Sequence, residues 1–105
     1  MPAAARAQGT DSVFSLTGAG YKCMVPTNTK TGDAGSPTVS INGKPAVRKG
    51  DKVGPHSAAG CSPDTSSLST GSSTVKIDGQ PAGRIGDQYG GDNFIISGSH
   101  NVFIG

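Results

Sequence analysis

GSPTVSINGKPAVRKGD, running from Gly35 to Asp51, is followed 36 residues later by GSSTVKIDGQPAGRIGD, running from Gly71 to Asp87. Two phrases that match position for position are an internal repeat, and a repeat constrains the architecture before any single element does. The first half of the phrase returns at Gly98–Gly105 as GSHNVFIG, and the second half opens the chain at Pro2–Asp11 as PAAARAQGTD. Joining the last residue to the first therefore produces a third, circularly permuted copy. The repeats are then 35–70, 71–97, and 98–105 continued by 1–34, and together they use all 105 residues of a single domain.

Each unit reads as a β-hairpin. Val39-Ser40-Ile41 alternates as a strand does when one of its faces is buried. Asn42-Gly43, and Asp78-Gly79 in the next copy, are signals for a type I′ turn, which needs positive φ at both central residues. Pro45 and Pro81 follow at the start of the returning strand, where a missing N–H costs least. Arg48-Lys49-Gly50-Asp51 and Arg84-Ile85-Gly86-Asp87 close the units in further turns, and Arg6 to Asp11 is the same closure with extra residues, a bulged copy. The expected fold is all-β: a small pseudo-threefold domain with Val39, Val75 and Val102 in one core layer and Ile41, Ile77 and Ile104 in the next. The permutation also expects the termini to meet. A meander of hairpins without an axis is the alternative. Residues 12–34, 52–70 and 88–97 read mostly as loops.

Composition supports a thin core. Val, Ile, Leu and Phe number only 18, while Gly numbers 17 and Pro 7. A net charge of +2 excludes the highly charged kind of disorder. Small domains of this kind gain stability from a metal, disulfides or a partner chain. Lys44, Arg48, Lys49 and Lys52 form one modest basic cluster, which reads as a solvated turn and not as a nucleic-acid footprint. No apolar run approaches the length of a membrane span. The start of the chain lacks the apolar core of a secretory signal, so synthesis in the cytoplasm, with any export left to a separate machine, is the expectation.

Two Cys and two His are the residues best suited to a soft metal: Cys23, His56, Cys61 and His100. A Cys2His2 set suits tetrahedral zinc, and four protein ligands leave no open position, so the expected metal is structural. The spacing matches no zinc-finger pattern. A Cys23–Cys61 disulfide and ordinary loop histidines are the other readings. Asp51 and Asp87 follow Gly and read as turn residues. No nucleophile elbow or phosphate loop is present, and no enzymatic activity is expected.

Pro45 to Asp51 and Pro81 to Asp87, with the preceding Gly-Ser-x-x-Val-x-Ile-x-Gly, the opening MPAAAR and the closing VFIG, resemble the signature of PAAR-repeat proteins. The resemblance implies a small cone of β structure with a metal near its vertex, zinc ahead of iron. It implies a cap on the blunt end of a trimeric β-helical spike, one tip per trimer. That spike is the VgrG-like protein of a type VI secretion apparatus or the spike of a contractile phage tail. The cap sharpens the spike for membrane puncture and can carry effectors, which places the chain at the tip of a secreted spike or in a virion tail. The family usually supplies three His and one Cys. Here Cys61, after His56, fits best, Cys23 stands in for a family His, and His100 has no usual counterpart. No appended toxin domain is expected after Gly105. The alternative function is a freestanding metal-binding β module that acts as an effector adaptor or binds glycans, for which Tyr21, Tyr89 and Phe103 are the aromatics available.

Overall fold

The computed structural model describes residues 1–15, 27–54, 66–90 and 93–105, and among these there is no helix. Eight short strands form three antiparallel sheets. Two are hairpins: β3 (Ser40–Ile41) with β4 (Lys44–Pro45), and β5 (Lys76–Ile77) with β6 (Gln80–Pro81). The third sheet has the order β2-β1-β8-β7, from β1 (Ser12–Ser15), β2 (Thr27–Lys30), β7 (Gln88–Tyr89) and β8 (Asn93–Ile95).

The hairpins form where the turn chemistry dictates. Asn42 and Gly43 take φ of 52° and 81°, and Asp78 and Gly79 take 52° and 79°, the left-handed pair of a type I′ turn. Ile41 faces Lys44 across the first turn and Ile77 faces Gln80 across the second. The chain termini make the third. Phe103 bridges Ala3, and the Ile104 N–H donates to the Pro2 carbonyl at 2.8 Å, so Gly105 and Met1 stand where the other copies place Asn42-Gly43 and Asp78-Gly79. This register corrects the alignment of the opening PAAAR: Ala3, not Pro2, occupies the position of Pro45 and Pro81. A glycine begins each unit because the next strand passes over it. A Cβ on Gly35, Gly71 or Gly98 would lie 2.8, 2.8 and 3.0 Å from the Cβ of Pro45, Pro81 and Ala3 respectively.

The three units are tied at the centre by backbone alone. The Ala5 N–H donates to the Gly83 carbonyl (3.0 Å), the Gly83 N–H to the Val47 carbonyl (2.8 Å), and the Val47 N–H to the Ala5 carbonyl (3.1 Å), closing a ring. A second ring surrounds it, from Ala7 to Pro45 (2.7 Å), Lys49 to Pro81 (2.8 Å) and Ile85 to Ala3 (3.0 Å). No unit closes either ring by itself.

Two apolar clusters stack on this ring. One holds Ile41, Ile77 and Ile104, each 6% exposed, with Ala4, Ala46 and Ala82. Val102 packs half-buried against it, but Val39 and Val75 are 38% and 37% exposed and form no core layer. That corrects the expected second trio. Each of these valines precedes its two-residue strand in a turn pinned by Ser36 or Ser72, at the rim, where nothing covers it. The other cluster is larger: Ala5, Ala7, Val13, Val47, Val53, Leu68, Tyr89 and Ile95. Five of its eight members, Val13, Val53, Leu68, Tyr89 and Ile95, come from segments that read as loops in the sequence. Thr31, Leu68 and Ile95 donate their N–H groups to the carbonyls of Asp11, Asp51 and Asp87, so each copy sends a chain back beside its own closing Asp. Val13, Val53 and Tyr89, two residues past those aspartates, fill equivalent places. The copy that supplies the large Tyr89 is the one with Gly83 in the ring, where a Cβ would lie 3.0 Å from Leu68 and Val47 side-chain atoms.

If the terminal corner is a true third hairpin, Gly105 joined directly to Met1, with the chain reopened between Asn42 and Gly43, gives a monomer with the same strand signature in circular dichroism. Met1 would sit at a left-handed turn position at a cost of about 1–2 kcal/mol, and changing it to Gly in the permutant restores the melting temperature. A permutant that fails to fold without an added linker would show that the corners are not equivalent.

Candidate functional site

At the isoleucine end the molecule presents a three-cornered face. Ser36, Ser72 and Ser99 donate their N–H groups to the carbonyls of Ala46 (2.8 Å), Ala82 (2.9 Å) and Ala4 (2.8 Å). Their hydroxyl oxygens accept two backbone N–H groups each: Thr38 and Val39, Thr74 and Val75, Asn101 and Val102. The hydroxyl protons go to the turn of the next copy: Ser36 to Asp78 Oδ2, Ser99 to Asn42 Oδ1 (2.5 Å) and Ser72 to the Gly105 backbone oxygen. Each corner is thus fixed by its neighbour, and the face is rigid without metal or disulfide. Its exposed residues include Val39, Val75 and the turn residues themselves.

Behind the face lie three arginine–aspartate clasps. Asp51 accepts from the Arg48 backbone N–H (2.9 Å), Nε (3.1 Å) and Nη2 (3.1 Å). Asp87 does the same for Arg84 at 2.7, 3.1 and 3.2 Å. Asp11 does so for Arg6 at 2.6, 3.0 and 2.8 Å, although two more residues separate the pair. Gln8 and Gly9, both at positive φ, absorb the insertion, whereas Gly50 and Gly86 alone make the turn elsewhere. The three carboxylates are buried. Hydrogen bonds to the aspartates raise the affinity of Arg6 and Arg48 for their protons. Asp51 and Asp87, which look like ordinary turn residues in sequence, are the latches of the fold. The repeated Arg-x-Gly-Asp spacing was the available signal.

The four candidate metal ligands divide. Cys23, His56 and Cys61 lie outside the described residues. Their described flanks adjoin: the Gly54 N–H donates to the Lys30 carbonyl (2.8 Å), Thr29 Oγ1 donates to the Gly54 carbonyl (3.5 Å), and Thr31 bridges Val53. Residues 29–31 and 53–54, which flank the two segments, therefore adjoin. His100 is exposed and follows Ser99, on the three-cornered face at the other side of the clasps. The described residues hold no group of three His, Cys, Asp or Glu fit for a metal. Tyr89 is wholly buried, its hydroxyl has no partner among the described residues, and burial pushes its phenol well above the ordinary range, with the Asp51 and Asp11 charges adding to the shift. It is not available to a glycan.

Two predictions follow from the latches and the corners. Asp51→Asn removes a charge-assisted acceptor from a buried clasp and is expected to cost roughly 3 kcal/mol in a urea melt; a loss below about 1 kcal/mol would mean that the clasp is not what holds the turn. Asp78 gives a pH signature. The Ser36 and Thr38 hydroxyls first, then the Arg48 guanidinium, hold its carboxyl below the ordinary value of 3.8. A depressed folded-state value contributes stability above the unfolded value and loses it as pH falls through the folded one. Asp78→Asn, with the same amide that Asn42 offers to Ser99, is therefore expected to keep the fold and to flatten the loss of melting temperature below about pH 4. An unchanged acid limb would assign that loss to other carboxylates.

Comparison with known families gives one match. A family model described as the PAAR motif fits residues 32–92, more than half of the chain. No curated protein matches the chain. The matched span covers the first two copies with their turns and clasps, while the third copy, divided between the chain ends, is seen in the hydrogen-bond rings. The all-β pseudo-threefold architecture fits the small β cone of that family. The chain belongs to the PAAR-motif family.

Proposed function

We propose that the chain is a structural tip that caps a trimeric β-helical spike, of the VgrG-like or phage-tail kind, through the three-cornered face. The family is a structural one whose members associate with such spikes. The observation that carries the reading is the face itself: one chain offers three equivalent corners, each locked by a serine of the preceding copy. A trimeric β-helix ends in three equal strand edges with unpaired backbone groups, a standing hazard for aggregation. A monomer with three matching corners satisfies all three at once, which a twofold or unsymmetrical domain does not. Puncture then needs only shape and rigidity. The end away from the three-cornered face becomes the leading end. Effectors carried on the tip and transit across the target membrane belong to the same reading.

A structural zinc belongs to it too. Thiolate, imidazole and thiolate from Cys23, His56 and Cys61 are a donor set suited to zinc over harder cations, with iron as the second candidate. His100 completes the set by type, but it is exposed and follows Ser99 at the three-cornered face. The metal would cross-link two long segments and supply no chemistry.

Two experiments test these statements. Co-purification with the β-helical end of a cognate spike is expected to give one tip per three spike protomers; a one-to-one ratio would sink the cap. Metal analysis of the purified chain is expected to give about one zinc per chain, and Cys61→Ser is expected to lose it and melt well below the parent, whereas His100→Ala retains it. An unchanged melting point for Cys61→Ser would remove the structural metal.

A further inference from the structure

Two turns of this fold differ by the atoms that a single reaction exchanges. Asn42-Gly43 and Asp78-Gly79 stand at equivalent corners with the same backbone, φ being 52° and 81° in one and 52° and 79° in the other. One side chain ends in an amide and the other in a carboxylate. Asn42 is also the one asparagine of four that precedes glycine; Asn28, Asn93 and Asn101 precede Thr29, Phe94 and Val102. Glycine has no Cβ to shield its own peptide nitrogen from the preceding side chain. The surroundings leave that nitrogen open as well. The Gly43 N–H donates to nothing among the described residues, and a Cβ built on Gly43 would meet no atom within 4 Å. Asn42 itself is exposed.

The groups around the Asn42 amide are those that hold a carboxylate one copy later. Asn42 Oδ1 accepts from the Ser99 hydroxyl (2.5 Å) and from Arg6 Nη1 (3.4 Å), as Asp78 Oδ2 accepts from the Ser36 hydroxyl and from Arg48 Nη1 (3.2 Å). Asp78 has a third donor in the Thr38 hydroxyl. Asn101 holds the place of Thr38, two residues past the corner serine, and its Oδ1 accepts from Asn42 Nδ2 (2.8 Å). Asn101 is exposed, so a half-turn of its amide would offer an N–H in place of that oxygen. A carboxylate at position 42 would then take three donors, one of them a guanidinium, and bonds of that charge-assisted kind are stronger than bonds to an amide.

We propose that Asn42 is a site of spontaneous deamidation, which gives this corner the chemistry of the Asp78 corner. The Gly43 nitrogen loses its proton to solvent base and attacks Asn42 Cγ. A C–N bond forms, the side-chain amide C–N bond breaks, and ammonia leaves, which closes a five-membered succinimide. One water then opens the ring. Cleavage between Cγ and the Gly43 nitrogen leaves aspartate at position 42. Cleavage between the main-chain carbonyl carbon and that nitrogen leaves isoaspartate, with one more backbone atom in the turn. In sum, amide and water become carboxylate and ammonium. Isoaspartate lengthens a two-residue turn and disturbs the pairing of Ile41 with Lys44, whereas aspartate keeps it. The aspartate is a stable end point: at the matching corner the Ser36 and Thr38 hydroxyls and then Arg48 hold the Asp78 carboxyl below its ordinary value, and an ionised carboxylate resists a second ring closure. The conversion adds one negative charge to the three-cornered face. It concerns the chain by itself and stands independently of the spike reading.

The test holds the purified full chain in mildly alkaline heavy-oxygen water and maps its peptides by mass. Asn42 is expected to convert at least about tenfold faster than Asn28, Asn93 or Asn101, with one labelled oxygen gained and the amide nitrogen lost. A second measurement takes the product directly: Asn42→Asp is expected to fold and, at neutral pH, to melt at or above the temperature of the parent. Conversion at Asn42 no faster than at the other asparagines, or conversion in urea but not in the folded chain, would overturn the proposal. An Asn42→Asp chain that melts clearly below the parent would overturn it too, because the corner would not be built to receive the carboxylate.

Discussion

The closed ring of three backbone hydrogen bonds among Ala5, Val47 and Gly83 is the constraint on which everything else depends. Each residue donates to one neighbour and accepts from the other, so the ring exists only when all three units are docked. Buried backbone groups must be paired, and here the pairing partner of each copy is always another copy. Ring closure therefore couples segments from opposite ends of the chain and makes the termini a structural element. It also explains why side chains this small suffice at the centre. Ala5 and Gly83 let the backbones approach, and the ladder supplies the order that a thin apolar core does not.

The same constraint explains how the copies tolerate divergence. The first closing turn holds two residues more than the others, yet Asp11 still takes the backbone N–H, Nε and Nη2 of Arg6. Gln8 and Gly9 bend into the left-handed region to make this possible. The clasp is the invariant and the turn length is not, because a buried carboxylate left without its donors costs far more than one residue at positive φ. Packing compensates in a similar way. The unit with Gly83 in the ring fills the layer below with Tyr89, where the other two use Val13 and Val53. Three unequal units thus fill one layer together.

Legibility in the sequence followed the rules that are local. The turns at Asn42-Gly43 and Asp78-Gly79 are written in two residues, because positive φ at both positions admits few alternatives. The phrase shared by all copies revealed the permuted third unit, and Ile41, Ile77 and Ile104 do lie together in one cluster. Val39 and Val75 did not follow, since alternation shows which face a side chain is on and not whether anything covers that face. The larger core was missed for a related reason. Val13, Val53, Leu68, Tyr89 and Ile95 sit in segments with no shared motif, and their equivalence appears only when each is counted from its closing Asp. The latching role of Asp51 and Asp87 was hidden behind a common turn composition. Of the candidate metal ligands only His100 lies among the described residues, exposed and next to Ser99, so the set as a whole is readable by residue type alone.

The layered order gives the two ends different physical characters. At the three-cornered face every turn is held by a neighbour's hydroxyl, the strands are two residues long, and the polar groups are satisfied by short, cross-copy bonds. At the other end the core is filled by Val13, Val53 and Tyr89, which differ in size from copy to copy. The likeness between the copies falls on the short turns and the hydroxyls that hold them. The sequence distributes its variation accordingly, with tight repeats from Gly35 to Asp51 and from Gly71 to Asp87 and unrelated stretches between them.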